Sequence, residues 1–351
     1  MKRKIVFFYN DSPQKQLLDS LNRYINKKKF TTSFSKNFQK KVDIGVYAHD
    51  ADKLHRINAN ISIITLGGMD QGKLFWPNFW LKENWSKFDF GILPGNNWIK
   101  MWKNSSWFIH SRPKKAILKI GWPKSQQIKL SQNKKKIRKP TILYAPCFET
   151  DQKQLDVVNA IKNKNYNLLI KHLPWDTSEE KIQFKDVRQN ISIANIKSKN
   201  ILKKNLKIIN PKKNIMKYYS KADLLITDES SVMYEALLFN LPTLVCSDWP
   251  MRTNNKNKPR KIKLDKSVSK ITNKKNLSFS IDQCLNNLKK LKLNSIKKKE
   301  YHFSSINKSA SNFNLFLENY CENKKILFQV KPKFKVSFTK SFYKILKKKF
   351  Q

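Results

Sequence analysis

Residues 214–248 read NIMKYYSKADLLITDESSVMYEALLFNLPTLVCSD. Apolar runs alternate here with amphipathic segments, which predicts a helix, a buried strand, a sharp turn, a second helix and a second strand. The turn is Asp228-Glu229-Ser230-Ser231, directly after the first of these strands. Because α/β sheets bind ligands at the carboxyl ends of their strands, this turn is the first candidate site.

The same alternation of strands and helices runs through both halves of the chain. The first part has five short apolar runs separated by stretches long enough for helices: residues 5–9, 42–47, 61–66, 88–93 and 116–120. A polar, charged stretch at residues 124–139 is typical of a linker, and the alternation restarts at Thr141. This organisation predicts an α/β protein with two doubly wound Rossmann-type lobes that face a cleft. We expect lobes at 1–135 and 140–300 and a basic helical tail at 301–351.

The composition is strongly basic but otherwise typical of a folded protein. Among 351 residues, 72 Lys and Arg outnumber 25 Asp and Glu, which gives a net charge of +47, while 40% of residues are hydrophobic. This hydrophobic content is enough to bury a core and excludes a disordered polycation. The charge favours anionic partners such as phosphorylated substrates, membrane surfaces or nucleic acid. The alternative is that a codon bias towards A and T, which the many Asn and Ile residues also indicate, is the main source of Lys at permissive surface positions.

The cysteines restrict the chemistry and the environment. Cys147, Cys246, Cys284 and Cys321 lie far apart and form no CxxC pair. This spacing excludes the usual zinc sites and a secreted disulfide framework, so we expect a reducing cytoplasm and no metal or other cofactor. No apolar run approaches the roughly 18 residues of a membrane span, and no signal peptide is recognisable.

Any phosphate in the second lobe must be held without glycine. All seven glycines lie at or before Gly121, so no Walker A or GxGxxG loop follows it. Ser230 and Ser231 stand at the predicted start of a helix, where hydroxyls and backbone N–H groups attract an anion. The alternative is an ordinary N-cap, because Ser is a preferred residue there. Glu235, one turn further on, is placed for a ribose diol or else is exposed on the helix.

Three segments resemble, in order and spacing, the CDP-glycerol glycerophosphotransferase family, whose fold is the GT-B glycosyltransferase fold. They read TILYAP at 141–146, LLIKHLP at 168–174 and TDESSV at 227–232. Weaker similarities are FDFGI at 88–92 and IGWPK at 120–124. The resemblance implies a transferase of teichoic-acid or capsule synthesis. Such an enzyme moves a glycerophosphate, polyol phosphate or glycosyl group from a nucleotide-activated donor to a cell-surface polymer, with the acceptor side in the first lobe and the donor in the second.

The resemblance also assigns residues to the donor site. It implies contacts to the donor phosphates from His172, Ser230 and Ser231. We expect a protonated His172 to stabilise the charge that grows on the leaving phosphate. Four further residues are assigned to the donor site: Glu235 as a nucleotide contact, Asp228 as the turn residue, Lys171 and Pro146. Lys171 ends its strand directly before His172, and alternation along the strand points the two side chains to opposite faces. Pro146 ends the first of the three segments.

The acceptor side departs from the family. Its members usually have a Trp-His-Gly-like motif whose His acts as general base, and this chain has TLGGMD at 65–70 instead. A base contributes about 10²- to 10⁴-fold to rate, and Asp70 is the nearest substitute. Gly67 and Gly68 would permit close approach of the backbone to a substrate phosphate. The alternative bases follow the second predicted strand: His49, Asp50 and His55.

Two aromatic features suggest further partners. Seven of the nine tryptophans lie between Trp76 and Trp122, where they would stack on a sugar or on bases, lie at a membrane interface, or pack in the core. Residues 336–350 have the spacing of a basic amphipathic helix, which would lie on anionic lipid or pack on the first lobe.

These observations lead to one preferred function and two alternatives. The preferred partners are CDP-glycerol or a nucleotide sugar, an anionic polymer or lipid-linked acceptor, and the anionic inner face of the plasma membrane, with no specific nucleic acid. The alternatives are a sugar-nucleotide epimerase of similar two-lobed shape and a basic nucleic-acid-binding protein, although no RNA or DNA module is recognisable.

Overall fold

The structure is a computed structural model that describes most of the chain. The described residues are 2–48, 51, 54–69, 80, 83–130, 139–147, 149, 152–174, 182–228, 230–249, 251–252, 259–260 and 266–335. The chain divides into two compact units. The first consists mainly of the residues up to Lys129 and those from Glu300 onward, and the second mainly of Leu130–Lys299.

The first unit is built on a parallel sheet. Its elements in chain order are β1 (Arg3–Phe8), α1 (Ser12–Asn22), β2 (Phe30–Ser35), β3 (Val42–Tyr47), β4 (Ala59–Thr65), β5 (Phe90–Ile92), α2 (Asn96–Ser105) and β6 (Ala116–Leu118). The strands lie in the order β6-β5-β4-β3-β1-β2. The side chains of Ile5, Val6, Phe7 and Phe8 are all fully buried, as expected for a strand inside a sheet that is covered on both faces.

The second unit repeats this architecture. Its elements are β7 (Thr141–Tyr144), α3 (Lys153–Ile161), β8 (Asn167–Ile170), α4 (Ile182–Leu202), β9 (Leu206–Ile208), α5 (Met216–Tyr219), β10 (Leu224–Thr227), α6 (Val232–Leu237), β11 (Thr243–Cys246), β12 (Met251–Arg252), β13 (Pro259–Arg260), β14 (Lys270–Thr272), α7 (Leu277–Asn286) and α8 (Leu288–His302). The order of the parallel sheet is β14-β11-β10-β7-β8-β9, and β12 and β13 form a separate antiparallel pair. This topology places β7 between β10 and β8, so the loops that follow these three strands lie side by side.

The chain then returns to the first unit through α9 (Ser309–Cys321) and β15 (Gln329–Val330). β15 pairs antiparallel with β6 and completes a seven-stranded sheet. α9 contacts α1, and the side-chain oxygen of Asn314 accepts the backbone N–H of Asn26 at 2.8 Å. The amphipathic helix predicted at 336–350 lies outside the described residues.

The parallel sheets confirm the predicted α/β class with two Rossmann-type lobes. Several strands were not expected, and β2 is one of them, because its sequence FTTSFS is polar and only partly buried. It lies at the edge of the sheet beside β1, where a strand needs fewer apolar side chains.

The tryptophan-rich region packs into the core, as the last of its interpretations predicts. Six of the seven tryptophans are described, and each is at most 8% exposed: Trp80, Trp85, Trp98, Trp102, Trp107 and Trp122. The indole N–H of Trp102 donates to the carbonyl of Ser111 at 2.8 Å. Trp76 lies outside the described residues. In the part of the chain that the structure describes, no helix combines the length and apolar character needed to cross a bilayer.

Candidate active site

Side chains from three neighbouring strand ends of the second unit form a buried polar cluster. The loop after β7 contributes Glu149 and leads into α3, β8 is followed by Lys171 and His172, and β10 is followed by Asp228. These four side chains are at most 5% exposed. The carboxyl edge of an α/β sheet is the usual position of a ligand site, and the polar residues concentrate there.

Asp228 holds the turn after β10 against the loop after β7. One carboxylate oxygen accepts the backbone N–H of Cys147 at 2.8 Å, and the other lies 3.1 Å from the ammonium nitrogen of Lys153. The side chains of Lys153 and Asp228 are 0% and 1% exposed. The pair therefore balances charge within the protein and joins two loops of the candidate site.

The environment of His172 favours the neutral ring in the ligand-free protein. Burial, with a smaller effect from the charge of Lys171, lowers the pKa of His172 to about 3. The ring nitrogen Nε2 lies 2.7 Å from the side-chain oxygen of Gln154. The Gln154 amide nitrogen donates to Ser198 at 2.8 Å and to Asn195 at 3.1 Å. The Gln154 oxygen is therefore the acceptor, and Nε2 carries the hydrogen.

Lys171 stabilises the chain around the end of β8. Its ammonium nitrogen donates to the carbonyl of His172 at 2.8 Å and to that of Pro211 at 2.7 Å. The contacts tie the residues after β8 to the segment that follows β9. Pro146, from the TILYAP segment, is buried where the β7 loop begins.

Ser231 does not act as the ordinary N-cap that the sequence leaves as an alternative. It precedes α6 with helical backbone angles, φ −58° and ψ −18°, and its side chain makes no capping hydrogen bond. Ser230 is 4% exposed. Helix α6 has only six residues, so the hydroxyl groups matter more than a helix dipole for any anion bound here.

Glu235 is buried and not exposed on the helix surface. Only 3% of the residue is accessible, and the hydroxyl of Tyr219 donates to its carboxylate at 3.2 Å. Tyr219 belongs to α5, so this bond links the helices on either side of β10.

Glu149 and Gln154 belong to the cluster but were not among the predicted site residues. The hydroxyl of Tyr144 donates to one Glu149 oxygen at 2.7 Å, and the backbone N–H of Gln154 donates to the other at 2.9 Å. Burial is the main cause that raises the pKa of Glu149 to about 7, although these hydrogen bonds and Lys153 act in the opposite direction. Glu149 therefore titrates near physiological pH. The signal was present in the sequence, because both residues follow the TILYAP strand at its carboxyl end.

Glu149 should make stability depend on pH in a defined direction. The pKa of a glutamate in an unfolded chain is about 4.3. Between about pH 4.3 and 7, the Glu149 carboxyl is therefore protonated in the folded state and ionised in the unfolded state. The stability that this proton provides is complete below pH 4.3 and is lost as pH rises through 7. The loss is on the order of 3 kcal/mol, from about 1.4 kcal/mol per pKa unit.

The test is urea unfolding of the wild type and Glu149→Gln from pH 5 to 8. The wild type should lose stability relative to the variant as pH rises, because Gln resembles the protonated carboxyl. The comparison with the variant is needed because His172, whose pKa is lowered, gives an opposite trend below pH 6.5. A constant stability difference between the two proteins at all pH values would contradict the assignment.

The predicted acceptor side is only partly described. Gly67 and Gly68 follow β4 and are half-buried, and a Cβ on Gly67 would lie 3.2 Å from the carbonyl oxygen of Ala48 after β3. His55 is exposed. The other candidate bases lie outside the described residues: His49, Asp50 and Asp70. Among the described residues, no three His, Cys, Asp or Glu side chains are grouped as metal ligands.

Comparison with solved structures identifies the fold of the protein. A variant of the wall teichoic acid polymerase TagF soaked with CDPG shares 15% identity and a TM-score of 0.58 over 91% of this chain and 89% of that chain. A structure described as a UDP-N-acetylglucosamine 2-epimerase from Listeria monocytogenes shares 13% identity and a TM-score of 0.58, over 94% and 100%. The S. aureus MnaA–UDP co-structure shares 12% identity and a TM-score of 0.59, over 95% and 100%. The fold is therefore that of the GT-B enzymes.

The family is narrower than the fold. Residues 13–251 match the family described as CDP-glycerol:poly(glycerophosphate) glycerophosphotransferase. The protein belongs to this family, as the TILYAP, LLIKHLP and TDESSV segments predict, and is a transferase. No curated protein matches the chain at a significant level.

Proposed function

We propose that the protein transfers a glycerophosphate or related polyol phosphate, or a glycosyl group, from a nucleotide-activated donor such as CDP-glycerol to a teichoic-acid-like polymer. Family membership supports the reaction class. The observation that carries the proposal is the buried polar cluster where β7, β8 and β10 end. At this edge of the sheet the buried charges are already paired and the loops are already held by hydrogen bonds. The site therefore requires little reorganisation when a charged donor binds.

The residues of the turn after β10 are assigned to the donor diphosphate. The hydroxyls of Ser230 and Ser231 donate to its oxygens, and Asp228 keeps the turn in place through Cys147 and Lys153. Glu235 receives the ribose, which requires its bond from Tyr219 to be shared or exchanged. Pro146 and Lys171 shape the site through the backbone.

His172 has a different role before and after the donor binds. In the ligand-free protein its Nε2–H is already used by Gln154, and the neutral ring has no second donor. A nearby diphosphate favours the charged imidazolium, because opposite charges stabilise each other at short range. Donor binding through His172 is therefore accompanied by uptake of a proton at Nδ1.

The reaction is a displacement at phosphorus when CDP-glycerol is the donor. An acceptor hydroxyl attacks the phosphorus that carries glycerol, the bond from this phosphorus to the bridging oxygen breaks, and CMP leaves with the electron pair. The hydroxyl proton passes to a general base, for which we assign Asp70, two positions after Gly68 in the sequence.

The function is tested by release of CMP from CDP-glycerol by the purified protein, with and without a poly(glycerophosphate) acceptor. We expect release that depends on the acceptor, together with lengthening of the polymer. Inversion of UDP-N-acetylglucosamine at C2 without any acceptor would instead identify an epimerase. Thermal stabilisation by an oligonucleotide but not by CDP-glycerol would identify a nucleic-acid-binding protein.

We further propose that the protein works in the cytoplasm, at the anionic inner face of the plasma membrane. The formal charge of +47 supports attraction to such a surface, and a polymer or lipid-linked acceptor would be found there. The amphipathic pattern at residues 336–350 supports a contribution from the tail.

A further inference from the structure

Helix α4 exposes large apolar side chains on the face opposite its packing contacts. Its inner face buries Ala194, Ser198 and Leu202, and Ser198 takes part in the Gln154 network. On the outer side, Ile193 is 43% exposed and Ile196 is 60% exposed. These two residues are three positions apart and share one side of the helix, so their exposure is a continuous feature of the surface.

The charged residues near these isoleucines in the sequence are all basic. Between Asp186 and Asp223 the sequence contains no acidic residue and has ten lysines and arginines. Five of the lysines are exposed on α4, on the turn after it and on β9: Lys197, Lys199, Lys203, Lys204 and Lys207. None of the five forms an ion pair within the part of the chain that the structure describes.

This surface, which we call the α4–β9 face, lies on an open side of the second unit. β9 is the edge strand of the sheet beside β8, and α4 contacts β9 and α3. The basic and apolar groups are therefore next to each other, on neighbouring elements that are both at the periphery of their unit.

We propose that the α4–β9 face docks on an anionic lipid bilayer, with Ile193 and Ile196 entering the headgroup region and the five lysines contacting acidic headgroups. This inference rests on the membrane association proposed above and names the surface that performs it. Charge complementarity identifies an anionic partner. The isoleucines favour a bilayer over nucleic acid or a soluble polyanion, because only the bilayer offers an apolar layer directly beneath its anionic groups.

The experiment is co-sedimentation of the full chain with vesicles of phosphatidylcholine alone or with 30% phosphatidylglycerol (roughly a bacterial-like charge density). We expect the wild type to bind the anionic vesicles and to bind less as salt is raised. Ile193→Asn/Ile196→Asn should weaken binding about tenfold, and Lys197→Gln/Lys199→Gln/Lys203→Gln by roughly 100-fold.

Two control variants test whether weaker binding is specific to the α4–β9 face or follows from the loss of any exposed apolar or charged side chains. Leu293 and Leu315 are 55% and 45% exposed on α8 and α9, so Leu293→Asn/Leu315→Asn removes comparable apolar surface elsewhere. Lys28→Gln/Lys40→Gln/Lys41→Gln removes three exposed charges from the first unit. Both control proteins should bind like the wild type, and all variants should keep the wild-type melting temperature.

The outcomes distinguish the surface from the wider proposals. Wild-type binding that the isoleucine variant retains in full would overturn the α4–β9 face while membrane association stands. If binding is lost only when residues 336–351 are deleted, the α4–β9 face is likewise overturned and the membrane contact is assigned to the tail. Equal sedimentation with neutral vesicles, or no sedimentation, would overturn both, whereas CMP release would still decide the reaction. If the lysine substitutions weaken binding while the isoleucine variant binds like the wild type, the proposed entry of the isoleucines into the headgroup region is overturned, and membrane association stands as an electrostatic contact of the lysines.

Discussion

Lys153→Met is expected to lower the free energy of unfolding by roughly 3–5 kcal/mol. The substitution removes the ammonium group 3.1 Å from Asp228 and leaves a carboxylate that is 1% exposed without its charge partner. Breaking a buried pair on one side is costly, because the remaining charge keeps its desolvation penalty and loses the attraction that offset it. Urea unfolding followed by circular dichroism measures the effect.

An exposed ion pair provides the matched control. Lys274 lies 3.3 Å from Asp156, with side chains 40% and 26% exposed, so Lys274→Met should cost at most about 1 kcal/mol. The double variant Lys153→Met/Asp228→Asn should lose less stability than the sum of its single substitutions, because it leaves no unpaired buried charge. If Lys153→Met proved as stable as Lys274→Met, the buried pair would not hold the two loops together.

Ser231→Ala is expected to lower kcat/KM for CMP release by about one to three orders of magnitude. The hydroxyl is assigned to the donor diphosphate, where negative charge grows as the bond to CMP breaks. The melting temperature should change little, since the side chain makes no capping hydrogen bond. A steady-state assay with CDP-glycerol and a polymer acceptor measures the loss.

Ser231→Thr is the appropriate companion variant because it retains a hydroxyl at the same position. It should keep most of the activity. Wild-type kcat/KM in Ser231→Ala would remove Ser231 from the donor site. His172→Ala is a less informative substitution, because it would also break the bond to Gln154 and leave a cavity in the core.

The sequence predicts the fold well where the signal is local. Residues 42–47 and 141–144 are short, largely apolar runs, and both are parallel strands that are mostly or fully buried. The turn at Asp228 was also evident, because it interrupts an apolar strand with polar residues. In contrast, β2 was not predicted because an edge strand needs little hydrophobic sequence.

The chemistry of the site was less predictable because it depends on distant partners. The lowered pKa of His172 follows from burial and from the charge of Lys171, and its hydrogen-bond partner Gln154 is 18 positions away in sequence. Lys153 and Asp228 are 75 positions apart and meet only because β7 and β10 are neighbours in the sheet. Exposure of Ile193 and Ile196 likewise depends on which side of α4 packs inward, and in the sequence two isoleucines at this spacing resemble part of an ordinary core stripe.

The return of α9 and β15 to the first unit imposes an order on synthesis. β6 receives its antiparallel neighbour from Gln329 and Val330, and Asn26 receives its partner from Asn314, 288 positions later. A ribosome therefore releases the whole second unit before it delivers the segments that complete the first. The second unit, which is nearly contiguous in the chain, is able to fold while the nascent first unit still lacks a strand and a helix.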